Sequence, residues 1–456
     1  MKARARYHGA GKTSPAGRGL SFLFPLLLLF FLCLPSGCSK DPASPENGSI
    51  SGRATLENSS DHGGILILLE DTGQSVTTES DGGFTIGGVS AGTHRLQASK
   101  DGYSTVTREN LTVRADQTTT VEAFTLLEEW IISADITAQT TWDAGRSIVI
   151  AGDIVVDAPA VLTIEDDVQV RFQDNAALRV EGTLIAAASD SARSIRFTSV
   201  NSSPSPGAWN RIYFDELPPE NESRLAHCII EYAGTGVICN SASPQIEECR
   251  ILSCDYAAIL CSNSSCRIEN NLIQDCQHGI RCEAGSNEVI IHGNTLMDNY
   301  ETGIACLESS PQIAQNHVQG ADYGIWCEYH SFPLIEYNEI FENGTGIYIY
   351  TVSAPTIQKN TIHHNTDAIF SNNGSYPTVN QNNITDHEGW FFYLNNSATY
   401  DEQNVDAQNN WWGTVTISTI GEHIRDKNDV TPGLPIGYVI YDPILSSPDP
   451  TAGPTP

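Results

Sequence analysis

The sequence predicts an all-β chain, a small antiparallel sandwich followed by a long parallel β-helix. Three observations carry that prediction. After residue 46 short apolar runs alternate with polar residues almost to the end, and a period of two marks strands with one buried side. From residue 228 a unit of about 22 residues recurs: Gly236, Ala258, Gly279, Gly303, Gly324, Gly346, Ala368 and Gly389 are spaced by 22, 21, 24, 21, 22, 22 and 21 residues. Two more columns keep that period, Ile230, Ile251, Ile273, Leu296, Val318, Ile340, Ile362 and Ile384, and Asn271, Asn294, Asn316, Asn338, Asn360 and Asn382. Helical repeats are usually longer, and leucine-rich repeats would hold Leu in the fixed places. Three short strands and three turns account for such a unit, each strand pairing with its counterpart one coil away at about 4.8 Å.

The first 37 residues stand apart. Lys2, Arg4, Arg6, Lys12 and Arg18 precede the apolar "LSFLFPLLLLFFLCLP" and then "SGCSKD", the order of a secretory signal peptide. The apolar run, broken by Pro25, is shorter than the ~20 residues of a spanning helix. "LPSGC" resembles a bacterial lipoprotein cleavage box, with Pro35 where that family usually has Leu, and the resemblance implies a lipid on Cys38. Residues 38–46 then read as a tether. Without its leader the chain keeps 19 of its 24 basic residues and all 55 acidic ones, a net charge of about −36. That excludes nucleic acid, whose phosphates need concentrated Lys and Arg. No Asp/Asn loop has calcium-binding spacing, so no calcium or other cofactor is expected.

Residues 47–127 carry short alternating runs ("ILILL", "FTIGGV", "HRLQAS", "TTVEAFTL") between Gly, Asp and Ser, which suits an antiparallel sandwich. Gly48, Gly52, the turn Asp81-Gly82-Gly83-Phe84, Val89, Gly92 and Gly102-Tyr103 resemble the carboxypeptidase regulatory-like domain. The resemblance implies a transthyretin-like sandwich serving as a non-catalytic spacer or adhesion module.

Residues 140–445 form the coil, and its repeats resemble those of the right-handed parallel β-helix superfamily. Three places after the Gly column come Cys239, Cys261, Cys282, Cys306 and Cys327, then Ile349. Alternation points them inward, so Cys is an apolar filler there. Cys228 with Cys249 and Cys254 with Cys276 fall at turns, and Cys266 stands where other coils have Pro or Val. Stacked parallel strands hold facing cysteines too far apart for easy bridging, so mostly free thiols are expected, with a turn pair such as Cys254 and Cys276 the place most open to an exception. One ligand per coil does not build a metal shell, and no metal site is expected. The "AQNNWWGT" of Trp411 and Trp412 resembles the closing segment of bacterial surface β-helix proteins, and residues 446–456 read as a Pro-rich tail without a folding signal.

Several β-helix families cleave acidic polysaccharides. The resemblance would require an "NTD", a double Asp and a "GHG" for a pectin hydrolase; "GNTLMDN" and "CQHGI" supply none of them. Arg250, Arg267, Arg281 and Lys359 lie in different columns and make no lyase constellation. Asp275, Asp298, Glu342 and Asp386 share a column, but Ser253, Gly320 and His364 fill its gaps, as in a turn chosen for its backbone. No catalytic residue is therefore assigned. Outward positions after the Gly column hold Trp326, Tyr348, Tyr350, Phe370, Phe391 and Tyr393, an expected flat aromatic strip that is either free to stack on sugar rings or covered by a loop, the sandwich or a second subunit. The expectation is an exported, lipid-anchored bacterial surface protein that binds a polysaccharide or cell-surface glycan without catalysis. Two alternatives remain: a β-helix polysaccharide lyase or glycoside hydrolase, and a metal-associated periplasmic β-helix protein, the latter disfavoured by a chain whose methionines are only Met1 and Met297.

Overall fold

A computed structural model of the chain describes residues 47–395, 401–430 and 435–455. The signal peptide, Cys38 and the tether lie outside the described residues.

The sandwich packs two four-stranded sheets. In one, Asn47–Leu56 pairs antiparallel with Gly83–Ser90 and parallel with Thr118–Thr120 and Phe124–Leu126. The other runs Ser75–Thr77, Leu66–Leu69, Gly92–Ser99, Val106–Val113. Ile50, Ile67, Leu69 and Leu96 are fully buried between them. The Asp81 carboxylate accepts the Gly83 amide at 2.9 Å and fixes the turn. Gly82 sits there at φ 87°, where a Cβ would lie 2.2 Å from the Ala54 carbonyl oxygen.

After the sandwich the chain winds into three parallel sheets of thirteen, twelve and twelve strands. The first face runs from Thr140–Trp142 to Val439–Ile440, the second from Trp130–Ile132 to Asn383–Thr385, and the third from Ile154–Val156 to Ile424–Arg425. The coil thus begins at Trp130, ahead of the expected residue 140, because Trp130–Ile132 already pairs with Ser147–Ile150. That rung carries neither the Gly nor the Asn of the repeat.

Inward columns such as Ile246, Ile268, Ile291 and Ile313 are 0% exposed, each side chain contributing roughly 1.5–3 kcal/mol by its burial. The Asn column forms a continuous buried ladder. Asn338 is typical: its Nδ2 donates to the Ile313 carbonyl, the Glu336 carbonyl and Asn360 Oδ1. Its Oδ1 accepts both the amide and the Nδ2 of Asn316. Asn410 of the "AQNNWW" segment extends the ladder by accepting from Asn382 at 2.9 Å. A second column, invisible in the repeat reading, holds Cys254, Cys276, Asn299, Ala321, Asn343 and Asn365; its side chains link Cys254 to Asn299 and, after a break at Ala321, Asn343 to Asn365. The Cys254 amide donates to Cys276 Sγ at 3.3 Å, and both thiols are free. The turn pair most open to an exception is thus free like the other described cysteines, and these thiols stand in for ladder amides. All ten described cysteines are unpaired and buried.

The Gly column is set by packing between coils. At Gly303 the backbone has an ordinary negative φ, but a Cβ would lie 2.4 Å from Val318 Cγ1 and 2.7 Å from the Gly324 carbonyl oxygen. Closeness between coils demands the missing side chain. The acidic column is one of the places where the backbone does turn left-handed: Ser253, Asp275, Asp298, Gly320, Glu342, His364 and Asp386 all have φ between 52° and 78°.

The end of the coil is closed by Trp412, fully buried, and the short helix Ile417–Gly421. Residues 446–455 do not trail away as a tail without structure. Asn383 Oδ1 accepts the Asp449 amide at 2.8 Å, the Lys359 carbonyl accepts the Gly453 amide at 2.8 Å, and Gln315 Oε1 accepts the Thr455 amide at 2.7 Å.

Candidate functional site

The aromatic residues gather on the outer side of the third face. Trp326, Tyr348, Phe370 and Tyr393 are direct register partners on successive strands, and Tyr350 lies beside Tyr348 with ring centroids 6.0 Å apart. Phe391 does not belong with them. Phe392 pairs with Ile369 and Tyr393 with Phe370, which puts Phe391, not Gly389, in the place of the Gly column. There it is 9% exposed and stacks on His423 at 4.7 Å, as part of the closing cap. The turn before it is one residue longer than those of the three preceding coils, and Gly389 imitates the repeat without occupying its position.

Three residues join the strip that the alternation did not place there. Tyr323 lies 5.3 Å from Trp326 and 4.7 Å from Tyr348, Trp390 lies 6.0 Å from Tyr393, and the Arg425 guanidinium sits 4.3 Å over the Tyr393 ring. Tyr323 pairs with Thr345 and Ile325 with Ile347. Gly324 and its counterpart Gly346 both fall between paired residues, so the Gly position interrupts the period of two on each strand and counting by twos assigns Tyr323 to the wrong side.

The geometry of the rings differs from a flat platform. Tyr348, Phe370 and Tyr393 stack on one another, with centroids 5.2 and 4.5 Å apart and interplanar angles of 19° and 10°. Their faces meet each other and their edges meet solvent. All three are half-buried, and burial pushes the Tyr348 phenol up to about 12. Trp326 stands across the end of this stack at 89° to Tyr348, and its indole N–H has no hydrogen-bond acceptor. The preceding residue in its register column, Ala305, is wholly buried although it points outward, so larger neighbours lie over it. Beyond Ala305 come Arg281, paired with Glu283 at 3.1 Å, and on the Trp326 strand Glu328, whose carboxyl is pushed up by burial. Trp326 therefore has an aromatic ladder on one side and a polar cluster on the other, a mixture suited to a ligand with apolar faces and many hydroxyls.

Family models match three stretches of the chain. They are the carboxypeptidase regulatory-like domain over residues 49–127, the periplasmic copper-binding protein (NosD) over 143–305 and 199–354, and the right handed beta helix region over 306–411. The chain is a right-handed parallel β-helix protein with an N-terminal carboxypeptidase regulatory-like domain. Among solved structures, the periplasmic alginate epimerase AlgG is 13% identical, with a TM-score of 0.39, over 66% of this chain and 77% of that one. The Dettilon tailspike protein is 12% identical, with a TM-score of 0.34, over 70% and 62%. A cohesin–X-dockerin chain from Acetivibrio cellulolyticus is 22% identical, with a TM-score of 0.16; the match spans 17% of this chain and 56% of the length of that one. No function is taken from likenesses this low. No curated protein sequence matches the chain significantly.

Because one of the matching families binds copper, the β-helix has to be tested for metal ligands. Cys239, Cys261 and Cys266 bring their Sγ atoms within 4.8 Å of one another. The expectation that a cysteine ladder gathers no ligand set is thus corrected, because Cys266 approaches from the same coil as Cys261. Sulfur donors suit cuprous copper, but a metal takes thiolates, not thiols. All three cysteines are 0% exposed; burial pushes the Cys239 and Cys266 thiols well up, while hydrogen bonds from Cys239, Cys266 and Cys282 hold the Cys261 thiol well down. No ion pair among the described residues brings a cation to them. One thiolate is thus supported by its neighbours, but a second and a third negative charge in an apolar rung without a counter-charge are costly, so the cluster does not fit a three-thiolate copper site. The acidic column is likewise a row of left-handed turn residues, its members interchangeable with Ser, Gly and His.

Proposed function

We propose that this β-helix protein is exported, is anchored through a lipid on Cys38, and binds a polysaccharide at the outer third face around Trp326 without cleaving it. One observation carries the reading: Trp326 ends the self-stacked ladder with its indole crosswise, next to Tyr323 and the polar Arg281, Glu283 and Glu328. The stacked Tyr348, Phe370 and Tyr393 build a rigid support, and Trp326 with Tyr323 supplies the contact. The long, regular face suits an extended chain ligand, and an exported protein would meet such ligands. The left-handed turn geometry of Asp275, Asp298, Glu342 and Asp386 supports the non-catalytic part.

A glycan array on the purified chain, followed by titration of any hit, tests the proposal. Trp326→Ala is expected to weaken binding about tenfold or more with little loss of stability. Equal binding by native and Trp326→Ala protein would refute the site. Shortened products after incubation would replace this reading with that of a polysaccharide lyase or hydrolase.

A further inference from the structure

Where the sandwich meets the first coils there is a cleft of about 700 Å³, and four arginines line it: Arg108 from the sandwich, and Arg146, Arg171 and Arg196 from the coil. The chain carries 24 basic residues against 55 acidic ones, so four guanidinium groups around one concavity are out of keeping with the rest of its surface. A single acid, Asp167, is in the lining, and Arg193 holds it at 3.1 Å.

The cleft is built from buried parts. Arg146 is 5% exposed; its guanidinium grips the Glu57 carboxylate at 3.0 and 3.2 Å and stacks 3.9 Å from the Trp130 ring. That contact joins the sandwich to the first rung, and it leaves Arg146 Nε buried without an acceptor. Arg171 Nε is buried and without an acceptor as well. The acids that balance these cations stand behind them. Glu129, partner of Arg171, is 16% exposed against 32% for the arginine, and Glu231, partner of Arg196 at 2.5 Å, is 11% exposed against 43%. Neither Glu129 nor Glu231 lines the cleft. Solvent therefore meets guanidinium on this surface while the carboxylates hold it in position from below. Arg108 has no carboxylate partner among the described residues; it lies 4.8 Å over the Phe124 ring.

We propose that this cleft is an oxyanion-binding site for an acidic polysaccharide, with Arg108, Arg171 and Arg196 as the contacting groups and Arg146 as the fixed floor. Guanidinium forks held in place by second partners bind carboxylates and sulfate esters in two-point contacts, at less entropic cost than mobile lysines. The strong negative charge elsewhere makes this cleft the favoured landing point for an anionic chain. Being on the second face at the sandwich joint, the site is separate from the aromatic strip and does not depend on the reading given for it.

Isothermal titration of the full chain with oligogalacturonate, its neutral methyl ester, sulfated dextran and unmodified dextran tests the proposal. Binding of oligogalacturonate or sulfated dextran, weakening steeply with salt, is expected, and the arm that binds identifies carboxylate or sulfate as the ligand group. Arg108→Gln should weaken it about tenfold. Arg196→Lys, which keeps the charge facing Glu231 but loses the fork, should weaken it severalfold, both with unchanged melting temperature. Trp326→Ala should leave it unaltered, which separates failure here from failure of the strip. No binding of either acidic ligand, equal binding of the neutral ligands, or full binding by both arginine variants would overturn the site.

Discussion

Replacing Asn338 by Ala removes one rung of the longest buried ladder, and the structure sets the size of the effect. The side chain donates three hydrogen bonds at 2.9 to 3.0 Å and accepts two at 2.9 Å, and the residue is 0% exposed. A typical intramolecular bond contributes about 0.5–1.5 kcal/mol net, and a buried group left unpaired costs more. The Ile313 carbonyl, the Asn316 amide and the Asn316 side chain lose partners in a site with no room for solvent, while the Glu336 carbonyl is reached by water more easily. A loss of about 3–5 kcal/mol follows, carried by neighbouring coils because each contacts only the next. Denaturant unfolding followed by far-ultraviolet circular dichroism measures it. Asn338→Ala together with Asn360→Ala should cost less than the sum of the two, since the pair shares bonds. A change under about 1 kcal/mol in the single variant would show that the ladder is not held by these amides.

Phe370→Ala removes a ring stacked at 5.2 Å on one side and 4.5 Å on the other, so thermal melting should report a loss of about 1–3 kcal/mol, in contrast to Trp326→Ala. Cys306→Val should be tolerated within about 1 kcal/mol and Cys306→Asp should not fold, as seen by solubility and circular dichroism. Asp275→Asn combined with Asp298→Asn should change neither stability nor glycan binding, because the turn requires only a residue that tolerates positive φ. His387 continues the second Asn ladder, and burial holds its pKa down to about 4 from the ordinary 6.5. The unfolded chain gains a proton as pH falls through 6.5 while the native one does not until about 4. Stability should therefore drop across that window, by up to ~3 kcal/mol for this group. His387→Asn, which restores the ladder residue, should reduce the difference in melting temperature between pH 7 and pH 5; an unchanged difference would exclude His387 as its source.

The sequence exposed the coil because its constraints repeat. The Asn column, the inward Ile columns and the inward cysteines each recur at one place per coil, and the structure puts them where the alternation does. What escaped was whatever depends on one added or missing residue. The Gly position at 324 shifts the side of Tyr323, and one further residue in the turn before Phe391 carries it from the surface to the cap. Ring orientation was also hidden: the pattern shows that Tyr348, Phe370 and Tyr393 point outward, not that they satisfy one another face to face. The arginine cleft escaped for another reason, since Arg108, Arg146, Arg171 and Arg196 belong to no common column and meet only where the sandwich docks on the coil.

The last ten described residues bear on how such an array comes apart. Stacked coils without a closing edge are expected to fray one at a time from the end, each departure exposing the next rung. Here the chain doubles back across its own turns, touching the coil of Asn383, then that of Lys359, then that of Gln315. The final coils cannot peel away until that return strand has been lifted from all of them. Detachment at this end thereby becomes a single coupled event with a higher threshold, visible as amide exchange of the last coils in step with one another, and lost when residues 446–456 are removed.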